Sequence, residues 1–118
     1  MKTLVAALAV AFAVPAVAAD FKCASGSRVE KGGSTQYTYK ESSSEIRVEK
    51  GGSTKGVAVK RGSKWYVEIG GSTQATFENG KIEKGGSSWA SVSEAQRQFD
   101  CNADVAATLW VLMQKGAL

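Results

Sequence analysis

The sequence predicts a mainly β protein with a C-terminal helix. The fold class is an antiparallel up-and-down meander of seven or eight short strands, curled or barrel-like, with the helix packed on the sheet or in the barrel mouth. Three observations carry this. From Ser27 to about Trp89, apolar residues alternate with polar ones, the period of a half-buried strand. Four Gly-Gly-Ser segments, at 32–34, 51–53, 70–72 and 85–87, divide that stretch, and paired glycines suit turns better than strand interiors. After Ser91 the chain becomes rich in helix formers.

The first 19 residues stand apart from this pattern. Lys2 precedes an apolar run from Leu4 to Val14, then Pro15 and the small residues Ala16-Val17-Ala18-Ala19. This reads as a cleaved export signal, residues 1–19, and the run is shorter than a bilayer span. Asp20-Phe21-Lys22 before Cys23 does not suit a lipidated cysteine. Residues 20–118 then form a single domain that is secreted or periplasmic, with no transmembrane segment expected in the mature chain. Cys23 and Cys101 are expected to form a disulfide in an oxidising compartment, stapling the first strand to the C-terminal segment. Loss of Lys2 lowers the formal charge from +4 to +3, a mildly basic balance.

Each strand has a legible face. "QYTYK" pairs Tyr37 with Tyr39, "EIRVEK" pairs Ile46 with Val48, and "KGVAVKR" pairs Val57 with Val59. "KWYVEIG" aligns Trp65, Val67 and Ile69, and "QATFE" aligns Ala75 with Phe77. Asn79-Gly80 suits a type I′ hairpin turn and sets Phe77 opposite Ile82. "ESSS" at 41–44 as a four-residue loop sets Tyr39 opposite Ile46 and Tyr37 opposite Val48. "RGS" at 61–63 as a three-residue loop sets Val59 opposite Trp65 and Val57 opposite Val67. For the Gly-Gly-Ser copies, face parity asks for a three-residue loop in copies one and three, giving Val29–Tyr37 and Trp65–Phe77. It asks for a two-residue loop in copy two, giving Ile46–Val57. The turn type of each copy stays open at this point.

The copies themselves are "RVEKGGST" at 28–35 and 47–54, "YVEIGGST" at 66–73 and "KIEKGGSS" at 81–88. A parallel solenoid is the rival architecture, because the first three copies start 19 residues apart; the fourth starts after 15. A hairpin absorbs that shortening in the Asn79-Gly80 turn and a solenoid coil does not. The C-terminal segment opens on a capping box, Ser91 to Glu94. It is one helix over about 92–115, or a short piece followed by 102–115, with Asn102 as a cap and Gly116 past the end.

The chain contains no histidine. That removes Ser-His and Cys-His nucleophilic sites and most zinc sites. No phosphate-binding loop follows the glycine pairs. No enzyme, cofactor or metal site is expected. In a meander, alternate turns share one end of the sheet, so the four Gly-Gly-Ser turns should lie on one rim. That rim would gather Lys31, Lys50 and Lys84, with Ile69 in the third slot. It would also gather the hydroxyls of Ser34, Thr35, Ser53, Thr54, Ser72, Thr73, Ser87 and Ser88 beside unobstructed glycine N–H groups. Ammonium groups, hydroxyls and free N–H groups suit anionic groups or sugars. The function expected is a small exported non-enzymatic binding module whose partner is an anionic polysaccharide or a protein; nucleic acid is not expected. The alternatives are a self-assembling β-repeat protein and a periplasmic inhibitor of a lysozyme-like enzyme.

The last alternative comes from a resemblance. "FKC" at 21–23, "WYVEIGGSTQATF" at 65–77 and "FDC" at 99–101 follow the order seen in the MliC-type periplasmic inhibitors of C-type lysozyme. The chain resembles them as a small exported β-barrel with a cysteine near each end. The inhibitory Ser-Gly motif of that family has no counterpart in "VAVKRGSKWY", and the tail after Cys101 is additional to that plan. No inhibitory residues carry over.

Overall fold

The computed structural model describes residues 19–118, so the export signal lies almost wholly outside the described residues. Nine strands follow in order. They are β1 (Phe21–Ala24), β2 (Arg28–Lys31), β3 (Ser34–Glu41), β4 (Glu45–Lys50), β5 (Ser53–Arg61), β6 (Lys64–Ile69), β7 (Ser72–Glu78), β8 (Lys81–Lys84) and β9 (Ser87–Ser91). Then come helix α1 (Val92–Gln98), the two-residue strand β10 (Phe99–Asp100) and helix α2 (Ala103–Gln114). All ten strands join one sheet in the order β9-β8-β7-β6-β5-β4-β3-β2-β1-β10. The first nine form an uninterrupted antiparallel meander; β10 adds in parallel to β1.

Every Gly-Gly-Ser copy turns in the same way. Lys31 faces Ser34, Lys50 faces Ser53, Ile69 faces Ser72 and Lys84 faces Ser87. The loop is therefore the two glycines alone, and both have positive φ in all four copies, as a type I′ turn requires. One step further each hairpin carries a β-bulge, which leaves Gln36, Lys55, Gln74 and Trp89 without a partner across the ladder. A bulge adds one residue to one strand, so it has the same effect on face parity as a three-residue loop. This explains why copies one and three asked for three residues. The expected pairs Val29–Tyr37 and Trp65–Phe77 are both present.

Copy two differs from the expectation. Ile46 faces Ala58, not Val57, and Val48 faces Gly56. At 61–63 the loop is the two residues Gly62-Ser63, so Lys60 faces Trp65 and Ala58 faces Val67. Val57 and Val59 consequently lie on the outer face. The cause is the helix. A Cβ placed on Gly56 would collide with Cδ2 of Leu112 and lie 3.0 Å from its Cδ1. The strand under α2 turns its smallest residues inward to admit the helix. The loop after β3 also closes tighter than expected. Ser42 N–H donates to Glu45 O at 2.8 Å, and Ser42 Oγ accepts from Glu45 N–H at 3.1 Å. Tyr39 then faces Val48 and Glu41 faces Ile46; the shift of two residues keeps the same faces. At Asn79-Gly80, Phe77 faces Ile82 as expected.

The core lies inside the curl of the sheet. Val105, Ala106, Ala107, Thr108, Leu109, Val111 and Leu112 of α2 are all buried, so the helix is covered nearly all round. It touches β4, β5, β6, β7, β10 and α1. Thr108 is the polar member, and its Oγ1 donates to Asp104 O at 2.8 Å. Inward-facing Val29, Ile46, Val48, Val67 and Ile82 are wholly buried, and Phe21 stacks on Phe99 with centroids 4.8 Å apart.

The sheet does not close on itself. Helix α1 links β9 to β10 along the chain and packs against α2. Its buried stripe is Val92 and Ala95, and Phe99 continues it. The C-terminal segment is thus two helices, not one. Ser91 and Glu94 form the expected capping box. Asn102 Oδ1 caps α2 by accepting from Val105 N–H at 2.9 Å, while its Nδ2 donates to Glu41 at 3.1 Å. Gly116, with φ of 80°, ends α2 in a Schellman motif: Ala117 N–H donates to Leu112 O and Gly116 N–H to Met113 O. Cys23 and Cys101 are bonded, tying β1 to the residue before the α2 cap. Among the described residues no helix is long and apolar enough to cross a membrane.

Candidate functional site

The meander brings the four glycine turns to one end of the sheet. Successive copies are two strands apart, about 9.5 Å at ordinary strand spacing. Every residue singled out on the sequence reaches this rim: Lys31, Lys50, Lys84, Ser34, Thr35, Ser53, Thr54, Ser72, Thr73 and Ser87 are all exposed.

The rim has two lips. Residues directly paired across a ladder share a face. Lys31, Lys50 and Lys84 belong with Ser34, Ser53 and Ser87 on the face that carries α2, together with Ile69 and Ser72. Glu30, Glu49, Glu68 and Glu83 face Thr35, Thr54, Thr73 and Ser88 on the outer side. The inner lip is cationic and the outer lip acidic. Two of the outer carboxylates are held by arginines, Glu30 by Arg28 at 3.5 Å and Glu68 by Arg61 at 3.2 Å. Pairs this exposed add little stability but lower the negative charge of that lip.

Pairing between neighbouring hairpins stops at these glutamates. Glu30 faces Lys22, Glu49 faces Thr38, Glu68 faces Val57 and Glu83 faces Thr76, and no rung lies beyond them. The hairpin tips therefore project as separate fingers with notches between. In three places a repeat lysine folds back over an aromatic ring: Lys31 over Phe21 at 5.4 Å, Lys50 over Tyr37 at 5.7 Å and Lys84 over Trp89 at 5.0 Å. Trp89 in turn meets Trp110 of α2 edge to face, centroids 4.9 Å apart. Such contacts hold an ammonium in place while leaving it solvated. Burial holds the Tyr37 hydroxyl above its ordinary pKa; burial first, then the nearby Glu41 carboxylate, does the same for Tyr39.

The notch between β5 and β6 is different. Ile69 replaces the lysine, and the inner space over Gly56 is filled by Leu112, while a hollow of about 350 Å³ lies at this notch. Its wall includes the bulged Lys55 and the backbone of Gly70 and Gly71. The bulged residues Gln36, Lys55, Gln74 and Trp89 were not singled out on the sequence. Their signal was present, since each follows "GGST" or "GGSS" directly, but the bulge that leaves them without a cross-strand partner is a property of the paired hairpin. Among the described residues no three of His, Cys, Asp and Glu come together as metal ligands.

Comparison with family models, with curated proteins and with solved structures finds no match for this chain. The family resemblance seen in "FKC" and "FDC" therefore has no counterpart in those comparisons, although the two segments do lie side by side as β1 and β10.

Proposed function

We propose that this chain is an exported, non-enzymatic interaction module that binds an extended anionic glycan along its glycine-turn rim. One observation carries the reading. The same hairpins turn at both ends, yet only one end is repeated in sequence. The opposite rim uses "SGS" at 25–27, "SSS" at 42–44, "GS" at 62–63 and "NG" at 79–80. Duplication of a good hairpin would leave both ends alike. The fold tolerates four different turns at one rim, so uniformity at the other points to a demand outside the fold. A repeating polymer supplies that demand, since it presents the same group at regular intervals to Lys31, Lys50 and Lys84, the free glycine N–H groups and the flanking hydroxyls.

The test is retention on immobilised heparin and alginate across a salt gradient. Wild type should be held at low salt and released as salt rises. The triple variant Lys31→Gln/Lys50→Gln/Lys84→Gln should elute clearly earlier. Passage of the wild type in the void volume of both columns at low salt overturns the reading. Self-assembly has one observation in its favour, since β9 is an edge strand paired to β8 alone; light scattering across a concentration series tests it, and a strict monomer at high concentration excludes it. A lysozyme-like partner is favoured by one observation, the paired "FKC" and "FDC" segments. Addition of the protein to a lysozyme turbidity assay tests it, and unchanged clearing rates exclude it.

A further inference from the structure

Trp89 is the rim residue that the charge of the lips leaves unexplained. The bulge position after each glycine turn holds Gln36, Lys55, Gln74 and Trp89. The turn asks for nothing special there. The Gln36 and Gln74 amides fold back on their own hairpins, donating to Ser34 O at 3.3 Å and to Ser72 O at 3.1 Å. A tryptophan in the fourth copy answers to something other than the turn.

Its surroundings set it apart from the other rings under the repeat lysines. Phe21 under Lys31 and Tyr37 under Lys50 are buried in the core. Trp89 under Lys84 is only half-buried. It lies on β9, which pairs with β8 alone, so no further strand stands beside it. Trp110 of α2 props the indole edge to face, the two rings inclined at 71°. Lys84 faces Ser87 across the ladder on the side that carries α2, and the indole reaches both Lys84 and α2. The same finger ends in Gly85-Gly86, with open space beside both glycines. One fixed aromatic ring, one ammonium, one hydroxyl and the turn N–H groups thus belong to one finger and one face.

That set matches a pyranose ring bearing a carboxylate. Such a ring has an apolar C–H face and a hydroxyl-bearing edge. The C–H face suits the negative face of an indole, the carboxylate suits Lys84, and the hydroxyls suit Ser87 and the turn. In the free protein the Lys84 ammonium lies 5.0 Å from the centre of the ring. An ion pair with the sugar carboxylate draws that ammonium aside and clears the indole face. An anionic chain without sugar rings would use Lys84 and leave the indole empty.

We propose that Trp89 is a stacking platform at the end of the rim, where one acidic sugar of the bound polymer lies on the indole with its carboxylate on Lys84. This rests on the rim reading and specifies its ligand: the fourth finger recognises a sugar ring, while the first two, whose rings are buried, read charge.

The experiment compares two probes of equal charge on the mature protein by titration calorimetry at one salt concentration. Alginate oligosaccharide carries its carboxylates on pyranose rings; poly-L-glutamate carries them on a chain without such rings. A rim that reads charge alone binds both alike. The platform predicts alginate bound about tenfold more tightly. Trp89→Gln, the residue of copies one and three, should remove that preference and leave poly-L-glutamate binding unchanged. Trp89→Leu, which keeps apolar packing against Trp110, should do the same, whereas Trp89→Phe should retain part of the preference. Equal binding of the two probes by wild type overturns the platform and leaves the rim reading standing. So does an unchanged preference in the folded Trp89→Leu protein. Binding of neither probe overturns both.

Discussion

Gly56→Ala tests the packing that sets the register of the central strand. Gly56 sits on the inner face of β5, opposite Val48. An added Cβ would collide with Leu112 Cδ2, lie 3.0 Å from Leu112 Cδ1 and 3.2 Å from Glu68 O. Leu112 is wholly buried, so it can yield only by pushing α2 or its neighbours. Overpacking of this kind costs about 1–3 kcal/mol. Against it stands the entropy gain of replacing glycine in a strand, about 0.4–1 kcal/mol. The net expectation is a loss of roughly 1–2 kcal/mol, or a fall of about 4–16 °C in Tm for a domain of this size. Urea unfolding with an unchanged m-value is the assay. The decisive step is the double mutant. Leu112→Ala alone should cost about 2–5 kcal/mol, but in that background Gly56→Ala fills part of the cavity and should become neutral or stabilising. Equal destabilisation in both backgrounds would refute the claim that α2 dictates which face of β5 turns inward.

Three further outcomes are expected. Cys23→Ala/Cys101→Ala opens a link spanning 78 residues; chain entropy alone puts the loss at about 4.5 kcal/mol, a large share of the roughly 5–15 kcal/mol typical of a domain, and an unfolding free energy lowered by less than about 1 kcal/mol would contradict this. Asn102→Ala removes the α2 cap and the contact to Glu41 and should cost about 1 kcal/mol, whereas Asn102→Asp should preserve the cap but weaken the join to β3 by placing a carboxylate beside Glu41. Tyr37 and Tyr39 have folded-state pKa values raised above the ordinary 10.0, so the fold favours their protonated form. That contribution is intact below about pH 10 and is lost as pH rises through the folded values. Tyr37→Phe/Tyr39→Phe should flatten the alkaline limb of the stability profile, and an unchanged limb would show that other groups control it.

Much of the architecture was legible because periodicity and turn chemistry are local. Alternation marked the strands. Asn79-Gly80 fixed Phe77 opposite Ile82, and the Ser91–Glu94 box fixed the start of α1. Two features were not legible, and both are relations between segments. The bulges at Gln36, Lys55, Gln74 and Trp89 arise where a tight glycine turn meets a twisted ladder, so parity counting mistook them for longer loops. The inward face of β5 is decided by Leu112, more than fifty residues away. Alternation alone assigned Val57 and Val59 to the core because they are larger than Gly56 and Ala58. For the site, the shared rim followed from topology, and the membership of Lys31, Lys50 and Lys84 followed with it. The division into a cationic and an acidic lip required the register.

The repeated turn also has a structural use, and the two uses separate by residue. Four glycine pairs with positive φ, each followed by a bulge, increase the twist along one rim and help the sheet curl around α2. That accounts for the glycines and not for the lysines. A non-glycine residue held in the left-handed region costs about 1–2 kcal/mol, so Gly51→Ala should lower stability by that amount through backbone strain alone, since nothing lies within 4 Å of its side-chain position. Lys50→Gln removes only an exposed cation–π contact to Tyr37, worth about 0.5–1 kcal/mol. In glycan retention the order should invert: Lys50→Gln should shift elution to lower salt, while folded Gly51→Ala keeps most of its affinity. If Lys50→Gln leaves retention unchanged, the uniform rim is a device for curling the sheet and its lysines serve the rings beneath them.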